Sequence, residues 1–497
     1  MLKYKFLILC KLLLFAHAIQ SQSEFNKLID FGLWQHNGYT LFQSDSFIYI
    51  SGQALDTTNL FFERDPFFIK LDNKGLLIDS ILVRDDDEVT AFANLARNMI
   101  VIDNFIYRLV ADFEKAYLCR TDLELNNTEI VHMYKDTINN LSAPEAVGMI
   151  EYPPGKITLA NLTILNNDFR GLIKQYTPGT SQVEEFYIDF PSSDFFLRNI
   201  LKNSNEEIII IGHVGNPGIF LMRLDSNFEV VESKVFEEHR WGGPLMETIQ
   251  DHNNDYVFVT VESIIAGGSP RFRPTISKIN ADWELEWHTT VGITEFESDD
   301  VWLSLVESHN EDGYVTCGFE QTNDDSLSYV GIVAKVGLDG DSIWFRKFSP
   351  VGNIPRQGEL WDIIKSNDGN YLAVGWQAPN LVADADSSLT KTWLIKFDED
   401  GHLLPDPSVS VVSPEFSKNI KVFPNPTQGY INIEHDYVDN VHYYLYDQQG
   451  RLVIKKENTQ AFHTYFLSLE GLESGIYFLN IISSEGIKHV EKLIISN

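Results

Sequence analysis

Cysteine is almost missing from this chain: three occur in 497 residues. Cys10 falls in a leading apolar stretch, and Cys119 and Cys317 stand far apart. No disulfide framework or thiolate metal site follows from them; they read as small buried hydrophobes. Basic residues are scarce too, with 38 Lys and Arg against 71 Asp and Glu and a formal charge of -33. That balance disfavours nucleic acid and anionic surfaces as partners. Beyond the first twenty residues no apolar run approaches the roughly 20 residues that cross a bilayer, so no transmembrane segment is expected in the mature chain. Catalytic signatures are absent as well. The sequence has no Gly-x-Ser-x-Gly, no Gly-x-x-x-x-Gly-Lys, and no His-Glu-x-x-His among its 13 His. No catalytic residue is assigned, and a non-enzymatic role is favoured.

What is present begins with a targeting pattern. Lys3 and Lys5 precede an apolar run from Phe6 to Phe15, and Ala16-His17-Ala18 supplies a small-x-small cleavage pattern. Residues 1–18 therefore read as a signal peptide. The run carries Lys11 and is too short for an anchor.

A second targeting element lies near the other end. Val422-Phe423-Pro424-Asn425-Pro426-Thr427-Gln428-Gly429, Tyr446-Asp447-Gln448-Gln449-Gly450-Arg451-Leu452-Val453, Leu472-Glu473-Ser474-Gly475-Ile476-Tyr477-Phe478-Leu479 and Lys492-Leu493-Ile494-Ile495 follow one another in order. Residues 419–497 with these motifs resemble the C-terminal sorting domain, type A, of the type IX secretion system of Bacteroidota. The resemblance implies a partner, the type IX secretion machinery, and a location, secreted or on the outer cell surface. It places the sorting motif on Pro424, Asn425, Pro426, Gly429, Gly450, Gly475 and Lys492. About seven short strand signals in this stretch predict a small β-sandwich. Residues 406–418, with Pro407, Pro414 and several Ser, read as a linker.

Between these elements lies a repeat. A short apolar strand ends in a basic residue followed by a turn, at Lys70, Arg120, Lys174, Arg223, Lys278, Lys335 and Lys396, roughly fifty to sixty residues apart, the spacing of a radial or solenoid repeat. Each unit carries four strand signals. In the sixth these are Val301 to Glu307, Tyr314 to Phe319, Val330 to Val336 and Ile343 to Phe348, with turn residues at Asn310-Glu311-Asp312-Gly313 and Asp339-Gly340. The fold class is accordingly all-β: a seven-bladed β-propeller over residues 25–405, then the small β-sandwich. The seventh unit lacks a fourth strand, because Leu403-Leu404-Pro405-Asp406-Pro407 interrupts pairing. Asn26 to Gly32 resembles the fourth strands elsewhere and is expected to close the ring. A linear solenoid, or six or eight blades, are the competing arrangements. The repeats also resemble the loose Gly-Tyr-rich propellers of secreted Bacteroidota proteins, a likeness of blades that carries no catalytic residue.

Parity along antiparallel blades puts short turns on one face and long connections on the other, where function is commonly carried. Arg271 and Arg273 fall in the stretch Ile264 to Pro274, Arg356 in Ser349 to Glu359, and Asp384 and Asp386 in Gln377 to Thr390, all read as long connections. With Trp241, Asp300 and Trp376 these give a carboxylate-rich rim carrying aromatic and guanidinium contacts. The expected ligands are a glycan or peptide at Trp241, Arg271, Arg273, Asp300, Arg356 and Trp376, and a metal at Asp384 and Asp386. No motif specifies a cofactor; Ca²⁺ is compatible with the acidic loops. The competing reading is solvation of an acidic exported protein. Asp398-Glu399-Asp400-Gly401-His402 lacks the alternating ligands and distal Glu of a calcium loop and reads as a hairpin turn. His213 and His288 lie on strands and read as packed. The basic repeat residues are expected to pair with nearby acids. The function expected is a binding or scaffolding module, the alternative a carbohydrate-active hydrolase or lyase working from the loop-rich face.

Overall fold

The computed structural model describes residues 25–406 and 421–496, except 32, 34, 56–63, 84–97, 112–114, 136–145, 166–167, 181, 189, 191–194, 215–217, 238–246, 267–268, 292–299, 323–327, 349–355, 380–389, 435–440, 448–450, 460–463, 470 and 484–487. The chain divides into two compact units, 1–408 and 409–497. All regular structure among the described residues is strand.

Among its described residues the first unit contains seven four-stranded antiparallel sheets. The first described strand is β1 (Asn26–Ile29). Sheet 1 follows as β2 (Gln35–Gln43), β3 (Phe47–Leu55), β4 (Arg64–Asp72) and β5 (Leu77–Leu82). Sheet 2 is β6 (Met99–Ile102), β7 (Phe105–Ala111), β8 (Lys115–Asp122) and β9 (Glu129–Lys135). Sheet 3 is β10 (Ala146–Glu151), β11 (Ile157–Leu165), β12 (Asp168–Tyr176) and β13 (Val183–Ile188). Sheet 4 is β14 (Phe195–Lys202), β15 (Ile208–Val214), β16 (Gly218–Leu224) and β17 (Val230–Phe236). Sheet 5 is β18 (Glu247–Gln250), β19 (Tyr256–Ala266), β20 (Ser269–Ile279) and β21 (Leu285–Thr290). Sheet 6 is β22 (Val301–Glu307), β23 (Gly313–Thr322), β24 (Ser328–Gly337) and β25 (Ser342–Phe348). Sheet 7 is β26 (Arg356–Lys365), β27 (Tyr371–Pro379) and β28 (Lys391–Phe397), and its fourth strand is β1.

Composition sorts the strands within a sheet. β15, Ile-Ile-Ile-Ile-Gly-His-Val, is buried on both faces, whereas β17 in the same sheet is exposed over all but its last residue. Second and third strands are therefore continuous apolar runs and fourth strands are mixed. The turn between third and fourth strands has one construction. Asp72, Asp122, Asp225 and Asp398 each accept two backbone N–H bonds on Oδ1 from residues two and four positions later. The residue that completes the turn has positive φ in every sheet: Gly75, Leu125, Gly179, Phe228, Trp283, Gly340 and Gly401. Asp398 to His402 is thus a hairpin turn, its Asp oxygen committed to backbone amides.

Successive sheets bury a core between them. Seven clusters join sheets 1 and 2, 2 and 3, 3 and 4, 4 and 5, 5 and 6, 6 and 7, and 7 and 1. In the last of these Leu372, Val374 and Leu394 meet Phe25, Leu41, Ile50 and Ile69. Each such side chain contributes about 1.5–3 kcal/mol on leaving water. First strands likewise neighbour first strands, β26 lying beside β2 as β22 lies beside β26.

β1 pairs antiparallel with β28, Asn26 opposite Ile395 and Ile29 opposite Thr392. Beyond β28, Leu403 bridges Phe397 and the Leu404 carbonyl accepts the Phe25 amide, so the segment with Pro405 returns along β28 instead of forming a strand of its own.

The second unit has two sheets: β29 (Lys421–Phe423), β30 (Tyr430–Glu434) and β33 (Thr464–Ser468); and β32 (Leu452–Thr459), β31 (Val441–Asp447), β34 (Gly475–Ser483) and β35 (Lys488–Ile495). Ile431, Ile433 and Leu467 of the first share one core with Tyr443, Leu445, Leu479 and Leu493 of the second.

Candidate functional site

Five of the seven first strands carry an irregularity, and two of these build the site. The register slips by one residue at Gly38/Thr40 in β2, Ala146/Gly148 in β10, Leu197/Asn199 in β14, Trp302/Ser304 in β22 and Leu360/Asp362 in β26. Such a bulge releases the extra residue from the alternation of the sheet and re-aims its side chain. In β2 that residue is Tyr39 and in β26 it is Trp361, and their rings meet edge to face at 4.8 Å.

Glu359 lies just ahead of the β26 bulge, opposite Trp376 on β27, so both side chains leave the same face of sheet 7. The Trp361 indole donates to Glu359 Oε2 at 2.9 Å, and the Trp376 indole also bonds the carboxyl. Glu359 is 8% exposed. Burial raises its pKa to about 7, outweighing the two indole hydrogen bonds, which favour the ionised form. The Tyr39 hydroxyl accepts from Gln53 Nε2 at 2.8 Å and Asn37 Nδ2 at 3.2 Å. The result is a carboxyl that exchanges its proton near neutrality, among two half-buried indoles, a phenol and two carboxamides. Glu359, Trp376 and Gln53 lie in the halves of β26, β27 and β3 nearer the connections 349–355, 380–389 and 56–63.

A polar lock sits immediately beneath. Asp362 is fully buried and joins three first strands: Thr40 Oγ1 and the Leu41 amide donate to Oδ2 at 2.8 and 3.1 Å, and Ser304 Oγ and the Ile363 amide donate to Oδ1, each at 2.9 Å. The Arg108 guanidinium is fully buried nearby. Desolvation lowers its pKa to about 10 against the pull of Asp362, and it keeps its charge at neutral pH.

Among the sequence-expected ligand residues whose side chains are described, Trp376 belongs to this constellation. Trp241, Asp384 and Asp386 lie outside the described residues, as does the Asp85-Asp86-Asp87-Glu88 run. Arg271 and Arg273 are not on a loop. β19 and β20 form one long hairpin in which Ile264 pairs with Arg271 and Glu262 with Arg273. Pro270 and Pro274 lie beyond the reach of β21, where a missing N–H interrupts no ladder. Arg356 is likewise on a strand, opposite Pro379 in sheet 7. Asp300 precedes β22, is 1% exposed and accepts the Gln321 amide at 3.0 Å. His213 and His288 are on strands, and burial pushes the His213 pKa down to about 4.

All seven basic repeat residues are in ion pairs. Two of them bridge neighbouring sheets: Lys70 to Glu124 and Lys335 to Glu399, both at 2.6 Å. Among the described residues no group of three His, Cys, Asp or Glu could hold a metal ion. No helix of the described residues is long and apolar enough to cross a membrane.

In the second unit the Pro-Asn-Pro-Thr segment is clamped to β35. Asn425 donates from Nδ2 to the Lys492 carbonyl at 2.7 Å and accepts the Ile494 amide on Oδ1 at 2.9 Å. Thr427 exchanges backbone bonds with Ile494 and Ser496. Pro424 and Pro426 are exposed beside it, Gly475 pairs with Ile495, Lys492 points to solvent opposite Phe478, and Gly450 lies outside the described residues. The motif residues Asn425 and Lys492, remote in sequence, thus meet through one side chain and one carbonyl.

The architecture is that of an all-β protein of four-stranded sheets with a small second β unit. Residues 421–496 match the family model of the secretion system C-terminal sorting domain. That sorting domain indicates export to the cell surface or secretion by the type IX system. No curated protein matches the chain in sequence. Among solved structures it is similar to PorZ, described as an essential bacterial surface component of the type IX secretion system of Porphyromonas gingivalis, at 12% identity over 93% of this chain and 81% of that one, with a TM-score of 0.24. It is also similar to a polysaccharide lyase of family PL25, an ulvan lyase, at 12% identity over 76% and 97%, TM-score 0.46. A third likeness is to Sqt1 of Chaetomium thermophilum, at 10% identity over 76% and 99%, TM-score 0.43. At these scores the similarities carry neither fold nor activity to this chain.

Proposed function

We propose that residues 25–405 close into a seven-bladed β-propeller which is exported as a binding module and takes an extracellular glycan at the end of the ring that bears Glu359. Closure is supported by the β1–β28 pairing and by a core between sheets 7 and 1 of the same kind as the other six. The signal peptide at 1–18 and the sorting domain at 419–497 supply the export route of a Bacteroidota protein.

The observation that carries the binding reading is the grouping of Tyr39, Trp361 and Trp376 around Glu359. Indole and phenol faces stack on the apolar faces of sugar rings, while a carboxyl and carboxamides bond their hydroxyls. The hydrolase or lyase reading draws on one feature, a carboxyl that holds its proton up to about pH 7 and so suits a general acid. A glycan array with the mature protein decides between them. Binding without product, weakened about tenfold or more by Trp376→Ala, is the expected result. Product formation abolished by Glu359→Gln would transfer the assignment to catalysis, and no hit on the array would remove the glycan reading.

A further inference from the structure

The junction between sheets 4 and 5 is built differently from the two that follow it. In sheets 5 and 6 the residue opposite the repeat lysine is tryptophan, Trp287 opposite Lys278 and Trp344 opposite Lys335. Each indole donates to a carbonyl in the next sheet's turn, Leu338 at 2.8 Å and Glu399 at 3.0 Å. Each also covers that turn's glycine so closely that a Cβ on Gly340 or Gly401 would sit 2.8 Å from the ring. In sheet 4 the corresponding residue is Glu232, opposite Arg223, and the turn position of sheet 5 is Trp283 at φ 60°. The large ring has exchanged sides. There it is 6% exposed and packs into the junction core with Tyr256. In the space that tryptophan fills at the next two junctions lies a pocket of about 290 Å³.

We propose that this pocket, on the short-turn side of the first unit, binds a single small saccharide, neutral or amino-substituted. Its volume is at the lower end of the roughly 300–1,000 Å³ of small-molecule sites, which limits the ligand to about one ring. The wall offers donors and acceptors already held in place. Arg223 is fixed between Glu207 at 2.8 Å and Glu232 at 3.0 Å, and Asn205 and Asn254 present carboxamides. A polyol satisfies both kinds of group, whereas an apolar ligand would strand them. An acidic sugar would meet Glu207, Glu232 and Asp282 against one guanidinium. The site is separate from the Glu359 constellation and stands on different residues.

The test is calorimetric titration and saturation-transfer NMR of the full chain with D-glucose, D-galactose, D-glucosamine and D-glucuronate. Saturable binding of one or more of the first three is expected, with glucuronate weaker by about tenfold or more. The double variant Glu232→Trp/Trp283→Gly, which copies the following junctions, is expected to lose that binding while keeping its melting temperature within a few degrees. Should that variant not fold, Asn205→Ala, at an exposed position, replaces it, with a loss of about three- to tenfold expected. Trp376→Ala is expected to leave this binding unchanged, which separates it from the array result. Absence of saturable binding to all four sugars, or full retention in the variants, overturns the proposal.

Discussion

At the junction of sheets 6 and 7, Trp344 lies on Gly401, and Trp344 belongs to a sheet whose four strands are consecutive in the chain. At the junction of sheets 7 and 1, Phe25 lies on Gly75 in the same relation, with a hypothetical Cβ 2.9 Å from its ring, but Phe25 adjoins β1, which joins the other strands of sheet 7 from the opposite end of the unit. The smaller ring is accompanied by polar links. Asn26 Oδ1 accepts the Trp393 indole at 2.6 Å, Lys391 reaches Asp30 at 2.9 Å, Lys27 reaches Asp406 at 2.9 Å, and Asp362 ties β26 to β2. Polar links cross the ordinary junction too: Lys335 to Glu399, the Trp344 indole to the Glu399 carbonyl, and Ser304 of sheet 6 on Asp362. The seam differs in that its links hold a strand not continuous in sequence with the rest of sheet 7, and in having the buried His36 among them. A buried imidazole responds to protonation, and a strand without chain continuity depends on each contact it makes, so the seam is where pH and single polar substitutions should act.

The largest effect is expected from removing residues 25–29. That exposes the edge of β28 from Thr392 to Ile395, discards the buried Phe25 and Ile29, and leaves the Trp393 indole without its partner. Two buried apolar side chains and four lost pairings predict a cost on the order of 5 kcal/mol or aggregation through the bared edge. A melting temperature unchanged by the deletion would mean that sheet 7 does not depend on β1.

Acid should come next, acting through His36. This ring is 1% exposed, its Nδ1 accepts the Thr392 amide at 3.1 Å, and burial with the Lys391 charge lowers its pKa to about 3. Between about pH 6.5 and 3 the unfolded chain binds a proton that the folded chain refuses, so stability present above pH 6.5 is lost as pH falls. The full shift corresponds to about 5 kcal/mol. Glu359 works in the opposite sense, its raised pKa costing stability as pH climbs from about 4.5 to 7. The His36→Gln variant is expected to lose the acid-side slope in a melting-temperature series, and an identical slope in that variant would clear His36.

The sequence made much of the scaffold readable and little of the site. Sheet number, turn positions and the β1 strand all follow from local signals: Asp-to-Gly turns, apolar triplets before a basic residue, and an unassigned strand at Asn26. These are short-range features that each sheet repeats. Glu359 and Trp361 were not readable. The first strand of sheet 7 begins at Arg356, inside the stretch Ser349 to Glu359 that reads as a long connection, and the bulge at Leu360/Asp362 breaks the alternation that would have told which way Trp361 faces. Tyr39 is hidden by the same device in β2. In the sorting domain the order of motifs was visible, but the Asn425 clamp on Lys492 and Ile494 depends on a pairing between strands remote in sequence.

Asp362 gives a third, smaller test of the seam. Each of its oxygens receives one hydroxyl and one backbone N–H, Leu41 on Oδ2 and Ile363 on Oδ1. In Asp362→Asn the hydroxyls can turn to accept, but whichever side the new NH₂ occupies, it faces a backbone N–H that cannot. The buried Arg108 charge also loses its counter-charge. A cost of about 2–4 kcal/mol is expected by denaturant unfolding, whereas a neutral outcome would show that water or relaxation replaces the lock.

The finest comparison uses glycines. Gly75, Gly401 and Gly369 share nearly one conformation, with φ of 73°, 77° and 83°, so alanine meets the same backbone penalty at each, about 1–2 kcal/mol. Their surroundings differ. A Cβ on Gly369 has nothing within 4 Å, on Gly401 it meets the Trp344 ring at 2.8 Å, and on Gly75 it meets Phe25 at 2.9 Å. Any excess of Gly401→Ala over Gly369→Ala therefore measures crowding at an ordinary junction, and the excess of Gly75→Ala measures it at the seam. If β1 is held as firmly as β25, the two excesses should agree within about 0.5 kcal/mol, each being roughly 1 kcal/mol or more. If β1 can lift away, Phe25 will give, and Gly75→Ala will cost no more than Gly369→Ala. That outcome would identify the seam as the most compliant of these junctions between sheets even with all its hydrogen bonds in place.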